Sequence, residues 1–249
     1  EWASAEKSTL NAHYTDRNVI SSMWKMAEHL GFRGGRILEP SAGTGLFFCL
    51  MPEEISQKSS LVGVELDEVT GKILKYLYPD ADIQITGFEK SKRLGDNSVD
   101  LVISNVPFGD FQVFDKIRPQ YSKQSIHNYF FSRAIDTVRP GGLVMQITSH
   151  FTLDSGSAAR LREEWGRKAD LVAAVRLPGT AFEKNAGTEV TTDIIVLRKK
   201  SDSDFFLGQP FRNLAAVETR QGETQVNEYF VAHPEMVLGE HSLSGSMYG

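Results

Sequence analysis

The feature that most constrains the fold of this chain is a glycine-containing loop between an apolar strand and an apolar helix. Strand and loop read Arg36-Ile37-Leu38-Glu39-Pro40-Ser41-Ala42-Gly43-Thr44-Gly45, and residues 46–51 that follow are apolar. A strand, a glycine loop and a helix in this order form the first unit of a doubly wound α/β sheet. Other short apolar runs, bounded by turn residues, predict further strands. They fall at residues 60–67, 82–86, 99–103, 143–148, 171–177 and 190–198.

The segments between these strands predict helices, and one short connection bears on the direction of the last strand. Helical spacing of apolar residues occurs over 19–30, 73–78, 126–138 and 160–168, with Thr15 or Asp16 available to cap the first helix. Only a short loop joins the strands predicted at 171–177 and 190–198. Such a loop permits antiparallel pairing but no right-handed crossover between parallel strands. The sequence thus predicts a doubly wound α/β sheet with an antiparallel last strand.

The residues around the glycine loop indicate which ligand it would bind. A lone pair of glycines, Gly43 and Gly45, is weak evidence for any particular ligand. In a dinucleotide-binding fingerprint a third glycine would stand at position 48, where this chain has Phe48. Glu39 at the mouth of the loop would repel a pyrophosphate and attract an ammonium group. A nucleoside with a cationic amino-acid tail, such as S-adenosylmethionine, fits these residues better than NAD.

Two residues after later strands are candidates for contact with such a nucleoside. Glu65 follows Gly45 by 20 residues, the spacing at which an acid accepts both ribose hydroxyls. An acid at a strand end can also be merely solvated, but the glycine loop favours the ribose contact. Phe88 follows the third strand. It could pack against the adenine of the ligand or belong to the core, and the sequence does not decide between the two.

The segment after the fourth strand carries the groups expected for chemistry. It contains Asn105, Val106, Pro107 and Phe108. An amide oxygen and a backbone carbonyl can accept both N–H bonds of an exocyclic amino group while an aromatic ring stacks on the base. A proline turn with a core phenylalanine is the plainer alternative. In a sheet wound 3-2-1-4, however, strands 1 and 4 are neighbours at the switch point, so this segment and the glycine loop should open into one crevice.

Composition limits the partners of the chain. Among 249 residues, 27 are Lys or Arg and 32 are Asp or Glu, giving a formal charge of −5. An autonomous nucleic-acid-binding domain is usually basic, so contact with a polynucleotide must come from local patches or from another domain. One such patch is the loop 110–126, where Lys116 and Arg118 alternate with aromatic residues, although an ordinary surface loop has a similar composition.

Further composition signals concern location and metals. The single Cys49 excludes an internal disulfide and suits a reducing cytoplasm. The six histidines show no ligand spacing, so no metal site is expected. No run predicts a membrane span or a signal peptide. Because the chain begins at Glu1, we expect it to be part of a longer protein.

The order of these motifs resembles the class I, S-adenosylmethionine-dependent N6-adenine DNA methyltransferases. The likeness extends over about residues 10–200 and is strongest to the methylase module of large helicase–methyltransferase fusions of phages and mobile elements. The matching stretches are Asn11 to Thr15, Leu38 to Gly45, Val64 to Asp67, Asn105 to Phe108, Tyr129 to Phe131, Arg139 to Leu143 and Gly187 to Ile194, with Asn227 to Phe230 and His233 to Gly239 typical of the fusions.

The resemblance implies a fold and a set of functional residues. It implies a seven-stranded, mostly parallel sheet with the last strand antiparallel. The cofactor would be S-adenosylmethionine, with Tyr14 and Thr15 at its methionine part, Glu65 at the ribose and Phe88 at the adenine. The implied cofactor set is Tyr14, Thr15, Glu39, Pro40, Ser41, Ala42, Gly43, Gly45, Glu65, Leu66 and Phe88. The implied catalytic set is Asn105, Val106, Pro107 and Phe108, and the expected substrate contacts are Phe108, Lys116, Arg118 and Phe182.

The expected activity is methyl transfer to the N6 amino group of adenine in DNA, with the base flipped out of the duplex. The methyltransferase domain is expected at 1–200, with residues 1–34 contributing to the cofactor site, and 201–249 form a C-terminal extension leading into further domains. Helicase and target-recognition domains would lie elsewhere in a bacterial or phage-encoded cytoplasmic protein serving restriction-modification or anti-restriction. Alternatives are methylation of RNA or of a protein glutamine amide, and a catalytically silent cofactor-binding module; a dinucleotide oxidoreductase is disfavoured.

Two residues depart from the pattern of this family. Val106 stands where the family usually has proline, which predicts a less rigid turn. Gly87 stands where an acid often precedes the aromatic residue of the third motif. The second departure makes recognition of the cofactor's adenine harder to predict.

Overall fold

The computed structural model describes residues 15–179, 191–202, 207–219 and 222–239. Its helices are α1 (Arg17–His29), α2 (Leu46–Cys49), α3 (Glu53–Ser56), α4 (Glu68–Leu77), α5 (Ile126–Thr137), α6 (Phe151–Asp154), α7 (Ala159–Lys168) and α8 (Glu228–Ala232). Its strands are β1 (Gly35–Glu39), β2 (Ser59–Glu65), β3 (Asp82–Ile85), β4 (Val99–Asn105), β5 (Val138–Ser149), β6 (Ala169–Arg176), β7 (Thr192–Lys199), β8 (Leu214–Thr219) and β9 (Gly222–Asn227). None of the helices among these residues is long and apolar enough to cross a membrane.

The main sheet has seven strands in the order β3-β2-β1-β4-β5-β7-β6. Pairing is parallel from β3 to β5, and β7 runs antiparallel to both β5 and β6. The predicted doubly wound sheet with its antiparallel last strand is therefore confirmed. The winding reverses between β1 and β4, so the carboxyl ends of these two neighbours form the crevice where ligands bind in such sheets.

Two apolar layers cover the sheet, one on each face, and bury its strands on both sides. On one face α1 contributes Ile20, Met23 and Trp24, and the Trp24 indole donates to the Phe47 carbonyl at 2.9 Å. On the other face α5 and α7 pack with the aromatic Phe131 and Trp165 against each other. Near-continuous apolar runs such as β4 are expected for strands covered on both sides.

The structure shows which residue caps the first helix and how long the helix after the glycine loop is. The Asp16 carboxylate, not the Thr15 hydroxyl, caps α1 by accepting from the Asn18 N–H at 2.7 Å. Acidic side chains suit this position because they satisfy free N–H groups at a helix start. The apolar run after Gly45 forms only the four-residue α2, since the chain turns at Pro52 into α3.

The C-terminal segment is joined to the core of the domain. Strands β8 and β9 form a hairpin, and Phe211, Tyr229 and Phe230 are buried in the same cluster as α5 and α7. The Arg176 guanidinium lies 4.2 Å from the centre of the Phe230 ring, and its N–H groups pair with Asp193 and Asp154. These aromatic side chains pack into the core formed by residues 15–179, and the expected domain boundary at residue 200 stays a prediction.

Candidate active site

The last residues of β1 and β4 place two polar side chains on one face of the sheet. Ile37 pairs with Leu101 in parallel register, and successive side chains in a strand alternate between faces. Glu39 and Asn105 therefore project from the same face, at the carboxyl ends of adjacent strands. The Ser41 hydroxyl donates to the Asn105 carbonyl at 2.7 Å, which fixes the glycine loop against the end of β4.

The glycine loop, residues 40–45, needs glycine where it turns into α2. Gly45 has a φ of 83°, and a Cβ there would lie 2.6 Å from the Tyr78 ring and 2.7 Å from a Leu74 methyl. The Tyr78 hydroxyl donates to the Gly45 carbonyl at 3.0 Å, which locks the turn. Burial raises the pKa of Tyr78 to about 12, so this hydroxyl keeps its proton. The loop is thus held in one shape by contacts on its inner side.

Glu65, at the end of β2, ties its own turn to the glycine loop. One carboxylate oxygen accepts from the Gly43 N–H at 2.7 Å and the other from the Asp67 N–H at 2.8 Å. A carboxylate has about four acceptor positions, so each oxygen can still accept another hydrogen bond. Leu66 beside it is 73% exposed. The arrangement offers a fixed acceptor pair next to an apolar surface.

Glu39 is a buried acid without a full set of partners. It is 2% exposed, and its Oε2 makes no hydrogen bond to any described residue. Desolvation raises the pKa of Glu39 well above its usual value, and the nearby Glu65 charge raises it further. A buried carboxylate of this kind is stabilised by any cation that binds beside it. The glycine loop therefore begins beside a carboxyl group that favours an ammonium group.

Asn105 also has a buried atom free to bind a ligand. Its Nδ2 donates to the Thr15 hydroxyl at 3.2 Å, while Oδ1 is buried and has no partner among the described residues. An unpaired buried acceptor costs about 1–3 kcal/mol, so such atoms in native sites call for an explanation. Thr15, which precedes α1 and is expected at the cofactor, is thus in contact with the side-chain amide of Asn105, the predicted catalytic residue.

The residues after Asn105 correct the expectation of a looser turn at Val106. Its N–H donates to the Ile147 carbonyl at 3.0 Å, a bond that proline cannot make, and its side chain is 1% exposed. The valine thus extends the pairing of β4 with β5 by one residue. Pro107 and Phe108 follow, both partly exposed. The predicted tetrad is therefore held by main-chain bonding instead of by a second proline.

A residue that the sequence did not reveal packs against Phe108. The His127 ring, in the first turn of α5, lies 5.1 Å from the Phe108 ring at 64°. Neither of its nitrogens has a hydrogen-bond partner among the described residues, and burial lowers the pKa of His127 to about 4. It is thus a neutral imidazole at neutral pH. Without ligand spacing to its neighbours, no local signal in the sequence separated it from the other histidines.

Phe88 proves to be a core residue, which answers the question left open by the sequence. It is buried against Phe130 and Tyr129, with the Arg133 guanidinium 5.1 Å from the centre of its ring. The ring is 3% exposed, and contact of its edge with a ligand's adenine stays a prediction. The Glu89 carboxylate, by contrast, lies in the space that a side chain at Gly87 would occupy. An acid is therefore present near this turn although position 87 is glycine.

The remaining expected contacts divide into three groups. Arg118 is corrected as a substrate contact, because it forms ion pairs with Asp96 and Asp136 near the amino end of β4. Lys116 is exposed in the loop that follows Phe108. Tyr14 and Phe182 lie outside the described residues. No group of three or more potential metal-binding side chains occurs in the described parts of the chain.

Comparison with known proteins places this architecture in a family. A family model described as N-6 DNA Methylase matches residues 1–212. This chain belongs to the N-6 DNA methylase family. It is therefore a methyltransferase domain, in line with the resemblance inferred from its motifs. Defense against restriction protein B of Escherichia phage P1 is 31% identical to this methylase over 193 residues, which are 77% of this chain and 8% of the phage protein.

Solved structures show the same fold at low sequence identity. The modification subunit of a putative type I restriction enzyme from Vibrio vulnificus matches the methylase with a TM-score of 0.63 and 16% identity, covering 87% of this chain and 55% of that one. A putative class I S-adenosylmethionine-dependent methyltransferase from Listeria monocytogenes matches with a TM-score of 0.64 and 16% identity, covering 79% and 63%. At this sequence identity the two matches show a shared fold.

Proposed function

We propose that this domain transfers a methyl group from S-adenosylmethionine to the N6 amino group of adenine in DNA. The observation that carries the proposal is a pair of buried acceptors, Glu39 Oε2 and Asn105 Oδ1, on one face of adjacent strands, and neither has a hydrogen-bond partner within the described part of the chain. One suits the ammonium of the cofactor and the other an amino group to be methylated. Membership of the N-6 DNA methylase family supports the same reaction.

The residues of the glycine loop and the ends of β2 and β3 fit the cofactor. Glu39 would bind the ammonium, and both oxygens of Glu65 would accept the ribose hydroxyls. The exposed Leu66 would cover one face of the adenine, and Glu89 would accept from its amino group in place of the acid missing at Gly87. Pro40, Ser41, Ala42, Gly43 and Gly45 would line the methionine part, with Tyr14 and Thr15 closing it from the side of α1.

The residues at the end of β4 would orient the target amine. Asn105 Oδ1 and the Val106 carbonyl accept its two N–H bonds from different directions, which favours a pyramidal nitrogen with its lone pair directed at the methyl group. The bound cofactor supplies that methyl on a sulfonium. As the new N–C bond forms, the S–C bond breaks and the amine loses one proton to solvent. Alignment of this kind contributes roughly 7–11 kcal/mol in well-oriented systems.

Stacking and partners complete the proposal. Phe108 would stack on the flipped base, worth about 1–3 kcal/mol, against a flipping cost of a few kcal/mol. Phe182 would wall the same pocket, and Lys116 would contact DNA. We propose that the domain, centred on residues 1–200, acts as one module of a restriction-modification, anti-restriction or helicase-linked protein. Its charge of −5 suggests that target recognition depends on other domains or subunits.

The test is transfer of radiolabelled methyl groups to DNA, RNA and protein, offered separately to the complete protein. We expect label in DNA, recovered as N6-methyladenine, and about 100-fold less with Asn105→Ala, the scale seen when one aligned hydrogen-bonding group is removed from an active site. Asn18→Ala, an exposed asparagine on α1, is the matched control and should be unchanged. Label in RNA or protein alone would refute the DNA substrate. Unchanged transfer by Asn105→Ala would refute the site.

A further inference from the structure

The first turn of α5 lies at the same edge of the sheet as the crevice. Helix α5 joins β4 to β5, and these neighbouring strands are parallel, so the helix runs back from the carboxyl edge of the sheet to the start of β5. The helix begins at Ile126, and Asn105 ends β4 at that edge. The topology therefore brings the side chains at the start of α5 close to the strand ends where the reacting groups are expected.

One side chain of this turn contacts the predicted tetrad. The centre of the His127 ring lies 5.1 Å from that of the Phe108 ring, with the two planes at 64°. The turn itself is fixed, because the Tyr129 hydroxyl donates to the buried Asp115 carboxylate at 2.8 Å. The same carboxylate lies 3.5 Å from the buried Arg133 guanidinium. His127 is thus held against the ring that is proposed to stack on the target base.

The polar atoms of His127 are buried but unused. The residue is 5% exposed, and neither ring nitrogen forms a hydrogen bond within the part of the chain that the structure describes. Burial of a polar group without a hydrogen bond costs free energy, a cost that an apolar side chain at this position would avoid. Because buried polar groups in native proteins nearly always have a partner, a ligand is the expected source of the bond.

The charge of His127 indicates which kind of ligand atom it would bind. Burial lowers the pKa of His127 to about 4, so at neutral pH the ring is uncharged and only one nitrogen carries a hydrogen. An uncharged imidazole offers one N–H to a neutral acceptor, whereas phosphate oxygens are bound most strongly by charged donors. The nitrogens within the ring of a nucleobase are neutral acceptors. A base edge therefore suits His127 better than the DNA backbone does.

Adenine has two such acceptors beside the amino group that would be methylated. In the proposed reaction, Asn105 Oδ1 and the Val106 carbonyl accept both N–H bonds of that amino group. The ring nitrogens N1 and N7 flank the group and receive no hydrogen bond from either residue. Stacking of the base on Phe108 would bring these nitrogens towards the side chain that touches the same phenylalanine.

We propose that His127 donates a hydrogen bond to one of the two ring nitrogens that flank the amino group of the extruded adenine. The inference rests on the proposed function and deepens it, because it gives the base a donor where the tetrad supplies only acceptors and a stacking ring. The histidine recognises the base and takes no part in moving the proton or the methyl group.

The experiment compares methylation by the complete protein of three DNA duplexes that carry the sequence modified by the wild type. The target is adenine in the first, 1-deazaadenine in the second and 7-deazaadenine in the third, so each analogue has C–H in place of one ring nitrogen. We expect His127→Leu to lower kcat/KM about 10-fold on adenine, the scale of one hydrogen bond lost at a buried site. On the analogue that lacks the contacted nitrogen, wild type and variant should differ less than twofold.

Two controls accompany this comparison. His29→Leu replaces an exposed histidine in the last turn of α1 and should match the wild type on all three duplexes. Calorimetry should give the same Kd for S-adenosylmethionine with His127→Leu as with the wild type, which shows that the variant is folded. A weaker Kd would place the effect at the cofactor and overturn the contact with the base.

The outcomes separate this contact from the underlying reaction. Equal activity of His127→Leu and wild type on adenine refutes the contact while leaving methyl transfer intact. An equal loss on all three duplexes also refutes it, since that pattern indicates that His127 only positions Phe108. A wild type that methylates no adenine in DNA refutes the proposed function, and the contact with it.

Discussion

Glu39→Gln should weaken cofactor binding and stabilise the free protein, two effects of opposite sign from one carboxylate. The side chain is buried, one of its oxygens has no hydrogen-bond partner among the residues that the structure describes, and burial together with Glu65 raises its pKa. Glutamine keeps the shape and removes the charge. A hydrogen bond to a charged group contributes about 1.5–3 kcal/mol, so its loss should raise the Kd for S-adenosylmethionine about 10- to 150-fold.

The stability effect follows from proton linkage. Between the ordinary pKa of Glu39 and its raised value, the folded protein binds more protons than the unfolded chain. The free energy of unfolding of the wild type therefore falls as pH rises through this window. The free energy of unfolding of Glu39→Gln does not depend on pH in this way. The variant should therefore be more stable than the wild type at pH values above the raised pKa of Glu39, and the difference in stability should shrink as the pH falls towards the ordinary pKa.

Two measurements check this prediction. Calorimetry with S-adenosylmethionine gives the Kd, and urea unfolding of the ligand-free protein across pH gives the stability. The matched control is Glu68→Gln, an exposed acid in the first turn of α4 that pairs with Lys72 at the surface. If Glu39→Gln binds the cofactor normally, or is less stable than wild type at neutral pH, the reasoning about a buried, unpaired carboxylate is wrong.

Two further substitutions test the glycine loop and the histidine beside Phe108. Gly45→Ala should lower the free energy of unfolding by at least about 1–3 kcal/mol, because alanine is strained at a φ of 83° and its Cβ would overlap the Tyr78 ring. Urea unfolding measures the loss, and an unchanged midpoint would contradict this prediction. The folded pKa of His127 is about 4, so wild-type stability should fall by about 3 kcal/mol as pH drops from about 6.5 through 4. His127→Leu should flatten that slope in acid unfolding, and an unchanged slope would show that another group titrates there.

The strand order and the crevice could be predicted from the sequence because they depend on local patterns. Short apolar runs bounded by turn residues predict the strands, and parallel winding then brings β1 and β4 together. Glu39, Glu65 and Asn105 could be placed at this edge because strand ends are visible in the sequence. The antiparallel β7 followed from its short connection to β6.

Other features depended on side-chain packing between distant segments. An aromatic and a basic residue, Phe88 and Arg118, are residue types that often contact nucleotides. In the structure Phe88 packs against α5, and Arg118 forms ion pairs with Asp96 and Asp136. The Val106 bond to Ile147 and the return of Glu89 towards Gly87 could not be predicted, because both depend on where neighbouring chain segments lie.

The doubly wound fold and the two strand ends that form the crevice follow from the amino-acid sequence, because backbone pattern and connection length are local properties. Which polar atoms at the crevice have no partner among the described residues, and which aromatic residues belong to the core, depends on the packing of distant segments. Pairing and burial are relations between residues far apart in the chain, as the bond from Asn105 to Thr15 shows.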